Sequence, residues 1–465
     1  MKKLKKMRNN IIKSVSLFLL IAVMISGCKK WIDTDINKNP NNPSDVSMAL
    51  LLPATQGGLG YVIGGDHSRV SGMWMQHLSG VDRQSAALER YSVLESDQNN
   101  LWNTLYAEVL KNLDVLVKKS VEQNAPHFEG IGKIMMAYTL GMVTDVWGDA
   151  PFSDALQGET GNLTPKYDTQ EKLYQTINTL LNEGIAKLSE ASPVGAPVPG
   201  AADLVYAGNA AKWVALGKSL KVRFALHLSK KNGLGPVRDL INQGGLISDN
   251  ANDFQINFGT AASANNPRFQ FDQQRGDIRV GKRIVDLMKA TNDPRIPRYF
   301  DKKTAADYIG SGPGENNTNA AWIGPAYASN NSPVFLMNYF EVKFIEAEAF
   351  FDTDKARSAT AYNDAVKASL AKLGVSDAAW EANNAAETAA SITMEKIMTG
   401  KYIAMFMSSE TWVDWRRTGI PSLALPAGIV GNQTPRRYLY PTDERLYNPN
   451  MPAGLTVTDK VWWDQ

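Results

Sequence analysis

Apolar side chains recur along this chain with the 3.6-residue period of amphipathic helices, in segments joined two by two through polar connections. Leu101, Trp102, Leu105, Tyr106, Val109, Leu110, Leu113, Leu116 and Val117 share one face of a first helix. Ile131, Ile134, Met135, Tyr138, Met142, Val143, Val146 and Trp147 share the face of a second, where the small Ala137 and Gly141 admit close approach of a neighbour. The connection at residues 123–128 is short and polar, so the two are expected to run antiparallel.

The pattern repeats. Leu173, Tyr174, Ile177, Leu180, Leu181, Ile185 and Leu188 predict a third helix, and Trp213, Leu216, Leu220, Phe224 and Leu228 a fourth. Phe335 to Phe351 pairs with a helix through Tyr362, Ala365, Val366, Leu370 and Leu373, followed by one through Met394, Ile397, Met398, Ile403 and Phe406. Pairs that recur without a strict period predict an all-α fold, an irregular tetratricopeptide-like helix-pair scaffold. β structure is expected to be minimal, a short strand at Phe254 to Phe258. Residues 57–92, 244–280, 301–333 and 416–465 are rich in Gly, Asn, Pro and Ser and read as long loops. Gly57-Gly58-Leu59-Gly60 lacks the Lys-Ser/Thr of a phosphate loop and reads as flexible. Loops this long are more often functional than filler, so they form a loop-rich ligand-binding region.

One apolar run differs from the rest. Residues 1–27 carry Lys2, Lys3, Lys5, Lys6, Arg8 and Lys13 with no acid, then an almost unbroken apolar stretch from Val15 to Ile25, then Ser26 and Gly27 before Cys28. A basic start, a short apolar core and small residues at the cut predict a secretory signal peptide. Small residues directly before Cys28 resemble a bacterial lipobox, which implies cleavage after Gly27 and a lipid on the Cys28 sulfur. An ordinary signal peptide with an incidental cysteine is the alternative, but the chain has no second cysteine with which to form a disulfide. Residues 28–45 are polar, rich in Asn and Pro, and read as a lipidated tether; residues 46–465 form the folded domain. Without its first 27 residues the chain has 43 Lys and Arg against 47 Asp and Glu, so its basic pI reports the signal and gives no support to nucleic-acid binding.

Catalytic and metal chemistry find little purchase. His67, His77, His127 and His227 are scattered without metal-ligand spacing, so no metal and no cofactor are expected. Asp145 and Asp149 flank Trp147 and are the one candidate for a glycosidase carboxylate pair, but they sit where a helix closes at Gly148 and Pro151, a place where Asp commonly satisfies backbone donors. Aromatics in loops are the stronger lead, because sugar rings stack on indole and phenol faces while their hydroxyls seek Asn, Gln, Asp and Arg. Arg69, Trp74, Gln76, His77, Asp82, Arg83 and Tyr91 form one such loop; Asn316, Asn317, Asn319, Trp322 and Tyr327 form another. Trp74 is equally compatible with one turn of a buried helix through Met73 and Leu78.

Several segments in order resemble the SusD/RagB family of nutrient-binding outer-membrane lipoproteins of Bacteroidetes, in its SusD-like branch. They are Cys28 with its lipobox; Asp35 to Pro43; Trp147-Gly148-Asp149-Ala150-Pro151-Phe152; Asn338 to Ala349; Lys401 to Ala404 followed by Glu410 to Gly419; Pro435 to Pro441; and Glu444 with Asn448. The resemblance implies a non-enzymatic lipoprotein, anchored in the outer membrane and facing the cell surface. It would bind oligosaccharide or another nutrient and pass it to a SusC-like TonB-dependent transporter. The expected ligand contacts are Trp74, Gln76, Arg83, Asn317, Trp322 and Tyr327. A helical-repeat adaptor for envelope proteins is the alternative, and a glycosidase a weaker one. Glu341, Glu346 and Glu348 on an apolar helix, with Arg416 and Arg417 downstream, are expected to form buried ion pairs between distant parts of the stack.

Overall fold

A computed structural model describes residues 46–303 and 306–465, together with Lys3, Lys5 and Met7. Cys28, the tether of residues 28–45 and all but those three residues of the signal lie outside the described residues. Met1–Ser47 and Met48–Gln465 are separate units, and the architecture described is that of the second. Among the described residues no helix is long and apolar enough to cross a membrane.

The scaffold is built from antiparallel helix pairs. Helix α1 spans Met48–Val62; α2 (Lys111–Glu122) pairs with α3 (Pro126–Trp147), α4 (Gln170–Ser189) with α5 (Ala210–His227), and α6 (Tyr339–Phe350) with α7 (Lys355–Lys372). Starts are marked where the chain supplies an acceptor: the Thr169 side chain accepts from Lys172 N at 3.3 Å, Asn209 from Lys212 N at 3.1 Å and Asp354 from Arg357 N at 3.0 Å. Helix α3 begins at a proline, whose missing N–H is not needed there. The expected close approach at Gly141 is real, since a Cβ on it would lie 2.3 Å from the Phe224 ring of α5. Phe344, Tyr362 and Ile397 anchor one core cluster, in which α8 (Met394–Ala404) packs on α6 and α7.

Three departures from the sequence pattern have physical reasons. Residues 57–62, expected to be loop, are helical within α1. A Cβ on Gly60 would sit 2.7 Å from Ile256, so glycine lets this helix lie directly on a strand, and that packing overrides its low helix propensity. The apolar run from Phe335 is split: Val334–Met337 is a strand paired antiparallel with Phe254–Ile256, and only from Tyr339 does the helix begin. The segment read as loop after Gly60 also contains helices at Ser68–Trp74 and Arg83–Glu89 and a strand at Leu78–Gly80. Strand content among the described residues remains small, three two-stranded sheets.

Buried charge ties the helix pairs together. Arg223 of α5 grips Glu341 of α6 through Nε to Oε1 at 2.6 Å and Nη2 to Oε2 at 2.5 Å, both side chains being buried. Arg417 forks onto Glu348 and also reaches Asp414 at 2.9 Å, which in turn meets Lys401 at 2.7 Å. Glu346 faces outward and pairs with Lys343 at 2.9 Å and Arg357 at 2.8 Å. Arg416 makes no carboxylate pair: it donates to the Asp145 carbonyl at 2.6 Å and lies between Trp412 and Trp463.

His227 has a titration consequence. Its Nδ1 is 3.1 Å from Asp145 and its Nε2 is 2.9 Å from Glu410. Burial alone would lower its pKa, but the two carboxylates outweigh burial and push it up to about 9. The stability this gives is complete below the unfolded value of 6.5 and is lost as pH rises from there through about 9, a total of about 3 kcal/mol. Urea unfolding of the folded unit is expected to show this fall between about pH 6 and pH 9.5, and His227→Gln to remove most of it. An unchanged pH profile in the variant would show that the proton sits elsewhere.

Candidate functional site

The two aromatic loops meet because the strand Leu78–Gly80 pairs antiparallel with Ile278–Val280, Gly80 opposite Ile278. Val81 N continues the ladder to the Asp277 carbonyl at 2.9 Å. Asp82 then caps the following helix by accepting from Arg83 N at 2.8 Å, and the Arg83 side chain is exposed. On the other side, Val280 exchanges hydrogen bonds with the second loop, donating to Ala321 O at 2.9 Å and accepting from Ser311 N at 2.9 Å. Ser79 Oγ and Ser311 Oγ close the seam at 2.9 Å.

A third loop joins through Arg90, a residue that sequence reasoning passed over. Its guanidinium donates to Gly314 O at 2.8 Å, Asn316 Oδ1 at 2.9 Å and Ala427 O at 3.0 Å. Its neighbour Glu89 accepts from Gly314 N at 3.2 Å, and burial pushes this carboxyl up to about 7. No periodicity marks Arg90, because the partners that join the loops lie more than 200 residues away.

Trp322 stands at the junction. Its strand pairs with residues 300–301, Trp322 opposite Asp301, which brings Lys303 to it. The Arg279 guanidinium carbon is 3.6 Å and Lys303 Nζ 3.3 Å from the indole centroid. At those heights two cations overlap if they share a face, so the indole is sandwiched. The two covers differ in tenure. Arg279 is buried and locked by donation to Thr318 O at 3.0 Å, Gly276 O at 2.9 Å and Ile278 O at 2.7 Å. Lys303 is exposed, and among the described residues its ammonium makes no hydrogen bond or ion pair. Nearby Asp272 is desolvated by the loops; Lys303 and Arg279 oppose that effect, but burial leaves its carboxyl up at about 7.

The sequence-predicted contacts separate into two groups. Arg83 is exposed and Asn317 and Trp322 are half-buried, all on this loop face, with Asn316 and Asn319 exposed beside them. Trp74, Gln76 and Tyr327 are buried and present no face to a ligand. Trp74 donates Nε1–H to Leu88 O at 3.1 Å and packs edge-on against Trp412 and Tyr438, at 5.1 and 5.2 Å between centroids. Gln76 spends its amide on Ala424 O at 2.5 Å, and Tyr327 packs on Phe406 and Tyr299. Of the remaining loop candidates, His77 is core: its Nε2 is 3.0 Å from Tyr402 O, and burial lowers its pKa to about 3. Arg69 pairs with Asp66 at 2.7 Å, and the Tyr91 hydroxyl is 3.2 Å from Thr434.

The carboxylates considered for catalysis are engaged elsewhere. Asp145 is buried against His227, the Tyr174 hydroxyl and Trp463 Nε1, and Asp149 accepts from Gln170 N at 2.8 Å at the start of α4. Among the described residues no group of three or more His, Cys, Asp or Glu side chains is placed to hold a metal ion.

Over residues 40–441 the chain matches the SusD-like family described as starch-binding, associating with the outer membrane. No curated protein matches it. Among solved structures, it is similar to a SusD/RagB family protein from Bacteroides thetaiotaomicron at 22% identity and a TM-score of 0.73, over 90% of this chain and 99% of that one. A chitin-binding SusD homolog from Flavobacterium johnsoniae matches at 22% identity and 0.74, over 88% and 98% of the two chains. A SusD homolog from Bacteroides fragilis matches at 21% and 0.75, over 90% and 100%. At these identities the structures show a shared fold.

Proposed function

The chain belongs to the SusD-like family, and on that premise we propose that it is a non-enzymatic capture protein that binds oligosaccharide on the loop face around Trp322. The indole, clamped by Arg279, whose guanidinium also holds Thr318 O between the loop residues Asn317 and Asn319, carries this reading. An aromatic platform amid short polar side chains suits a sugar ring, whose C–H face stacks while its hydroxyls pair at the rim. Lys303 is the removable cover: an exposed cation–π contact is worth about 0.5–1 kcal/mol, which ring stacking can outbid. Family membership further supports an outer-membrane location. Lipid on Cys28, exposure at the cell surface and delivery to a SusC-like TonB-dependent transporter complete the reading. A starch- or chitin-type glycan is the first ligand to try, given the family description and the relative from Flavobacterium johnsoniae.

The test is calorimetry with residues 29–465 and uncharged hexasaccharides of glucose and of N-acetylglucosamine. Trp322→Ala is expected to weaken binding about tenfold or more, equivalent to about 1.4 kcal/mol or more. Lys303→Ala is expected to strengthen it about two- to fivefold by removing the competitor. Equal affinity in the parent and Trp322→Ala would remove the loop face from the reading.

A further inference from the structure

A second place in the same unit has the chemistry of a sugar subsite and shares no residue with the loop face. The short helix Ala378–Asn384, α7, α8 and the segment from Leu287 to Arg295 line a cleft of about 450 Å³, a size that ligand pockets commonly have. Its aromatic wall is Trp380, half-buried and unable to swivel freely because Nε1 donates to Thr291 O at 2.9 Å. Tyr362 lines the same cleft, is 9% exposed and has a hydroxyl without a hydrogen-bond partner among the described residues. That hydroxyl is not sealed in the core, so it is open to a ligand hydroxyl in the cleft.

The other polar groups are arranged to accept. Asn383 and Asn384 each spend their N–H on the carbonyl four residues earlier, at 2.8 and 2.9 Å, which leaves both amide oxygens free. Thr399 also lines the cleft with its hydroxyl uncommitted. The charges, by contrast, are mostly spent internally. Glu387 holds Lys396 at 2.8 and 2.9 Å, and Asp293 holds Arg295 at 2.9 and 2.5 Å. Of the charged lining groups Glu395 alone is unpaired among the described residues, so the lining offers an anionic ligand no free cation. An aromatic wall, free acceptors, two hydroxyls and no unpaired cation fit an uncharged polyhydroxylated ring.

We propose that this cleft is a second glycan subsite, taking one pyranose ring of an uncharged oligosaccharide. It rests on the reading of the chain as a glycan binder and is independent of Trp322. Two sites on one compact unit let a long polysaccharide engage twice, which raises avidity without new contacts at either site.

Native mass spectrometry of residues 29–465 with maltohexaose or chitohexaose tests it, with circular dichroism as the folding control. Two bound oligosaccharides are expected for the parent, one for Trp380→Ala, one for Trp322→Ala and none for the double variant. Tyr362→Phe, which removes one oxygen and keeps the ring, is expected to weaken the cleft's binding about three- to tenfold. A hexamer of galacturonic acid is expected to leave the cleft empty. A single bound oligosaccharide lost in Trp322→Ala and kept in Trp380→Ala overturns the second subsite and leaves the loop-face reading standing. A single one lost only in Trp380→Ala upholds the cleft and overturns the loop face. No binding of either probe overturns both.

Discussion

Glu341→Ala is expected to lower the unfolding free energy of the folded unit by about 3–5 kcal/mol, because it strands the Arg223 guanidinium in the interior. Arg223 and Glu341 are 2% and 1% exposed, and two hydrogen bonds join them across the α5–α6 contact. Arg223 would keep its bond to Leu336 O at 2.7 Å and the more distant Glu410 at 3.7 Å, which places the loss toward the lower end of that range. The pair is costly to break because each ion has already surrendered its water. Removing both ions should cost much less: Arg223→Met with Glu341→Leu fills similar volume and leaves no orphaned charge. Urea titration of the two single variants and the double would show the pattern, the double lying well above either single. A single Glu341→Ala within about 1 kcal/mol of the parent would mean the ions are hydrated in solution.

Trp74→Ala is expected to cost a similar 3–5 kcal/mol while leaving glycan affinity of the folded protein unchanged. The side chain is fully buried, bonded to Leu88 O and enclosed by Trp412 and Tyr438, which themselves stack 5.4 Å apart. Removing the indole opens a large cavity beside them. Trp322→Ala predicts the reverse, a loss of affinity at nearly unchanged stability, since that indole is half-exposed at a loop junction. Thermal unfolding and calorimetry on both variants distinguish the two tryptophans. Lost binding at an unchanged midpoint in Trp74→Ala would return that residue to the ligand site.

The contrast between these tryptophans shows what a linear pattern carries. Each follows or precedes loop-forming residues, and nothing in the neighbouring sequence tells which face packs. The helix pairs were legible because burial of one stripe repeats every turn, so the faces of α3, α4 and α5 are written into residue spacing. The acids on α6 announced buried pairs, since a Glu on an otherwise apolar face must find a cation. Their partners could not be read: Glu341 meets Arg223 from 118 positions away, and of Arg416 and Arg417 only the second takes a carboxylate. Local propensity misled at Gly57 to Gly60, where a strand pressed against the helix rewards the missing Cβ.

By itself, then, the chain determined that it would be helical and that it would pair its helices. Those features are set by short-range periodicity and by side-chain type. Tertiary structure alone decided which loops touch, through a two-stranded pairing at Leu78–Gly80 and a clamp at Arg90. It also decided that Trp322 and Trp380 stay partly exposed while Trp74 and Tyr327 are buried. The physical reason is that exposure belongs to the surface left over after packing, and packing is settled by partners hundreds of residues apart.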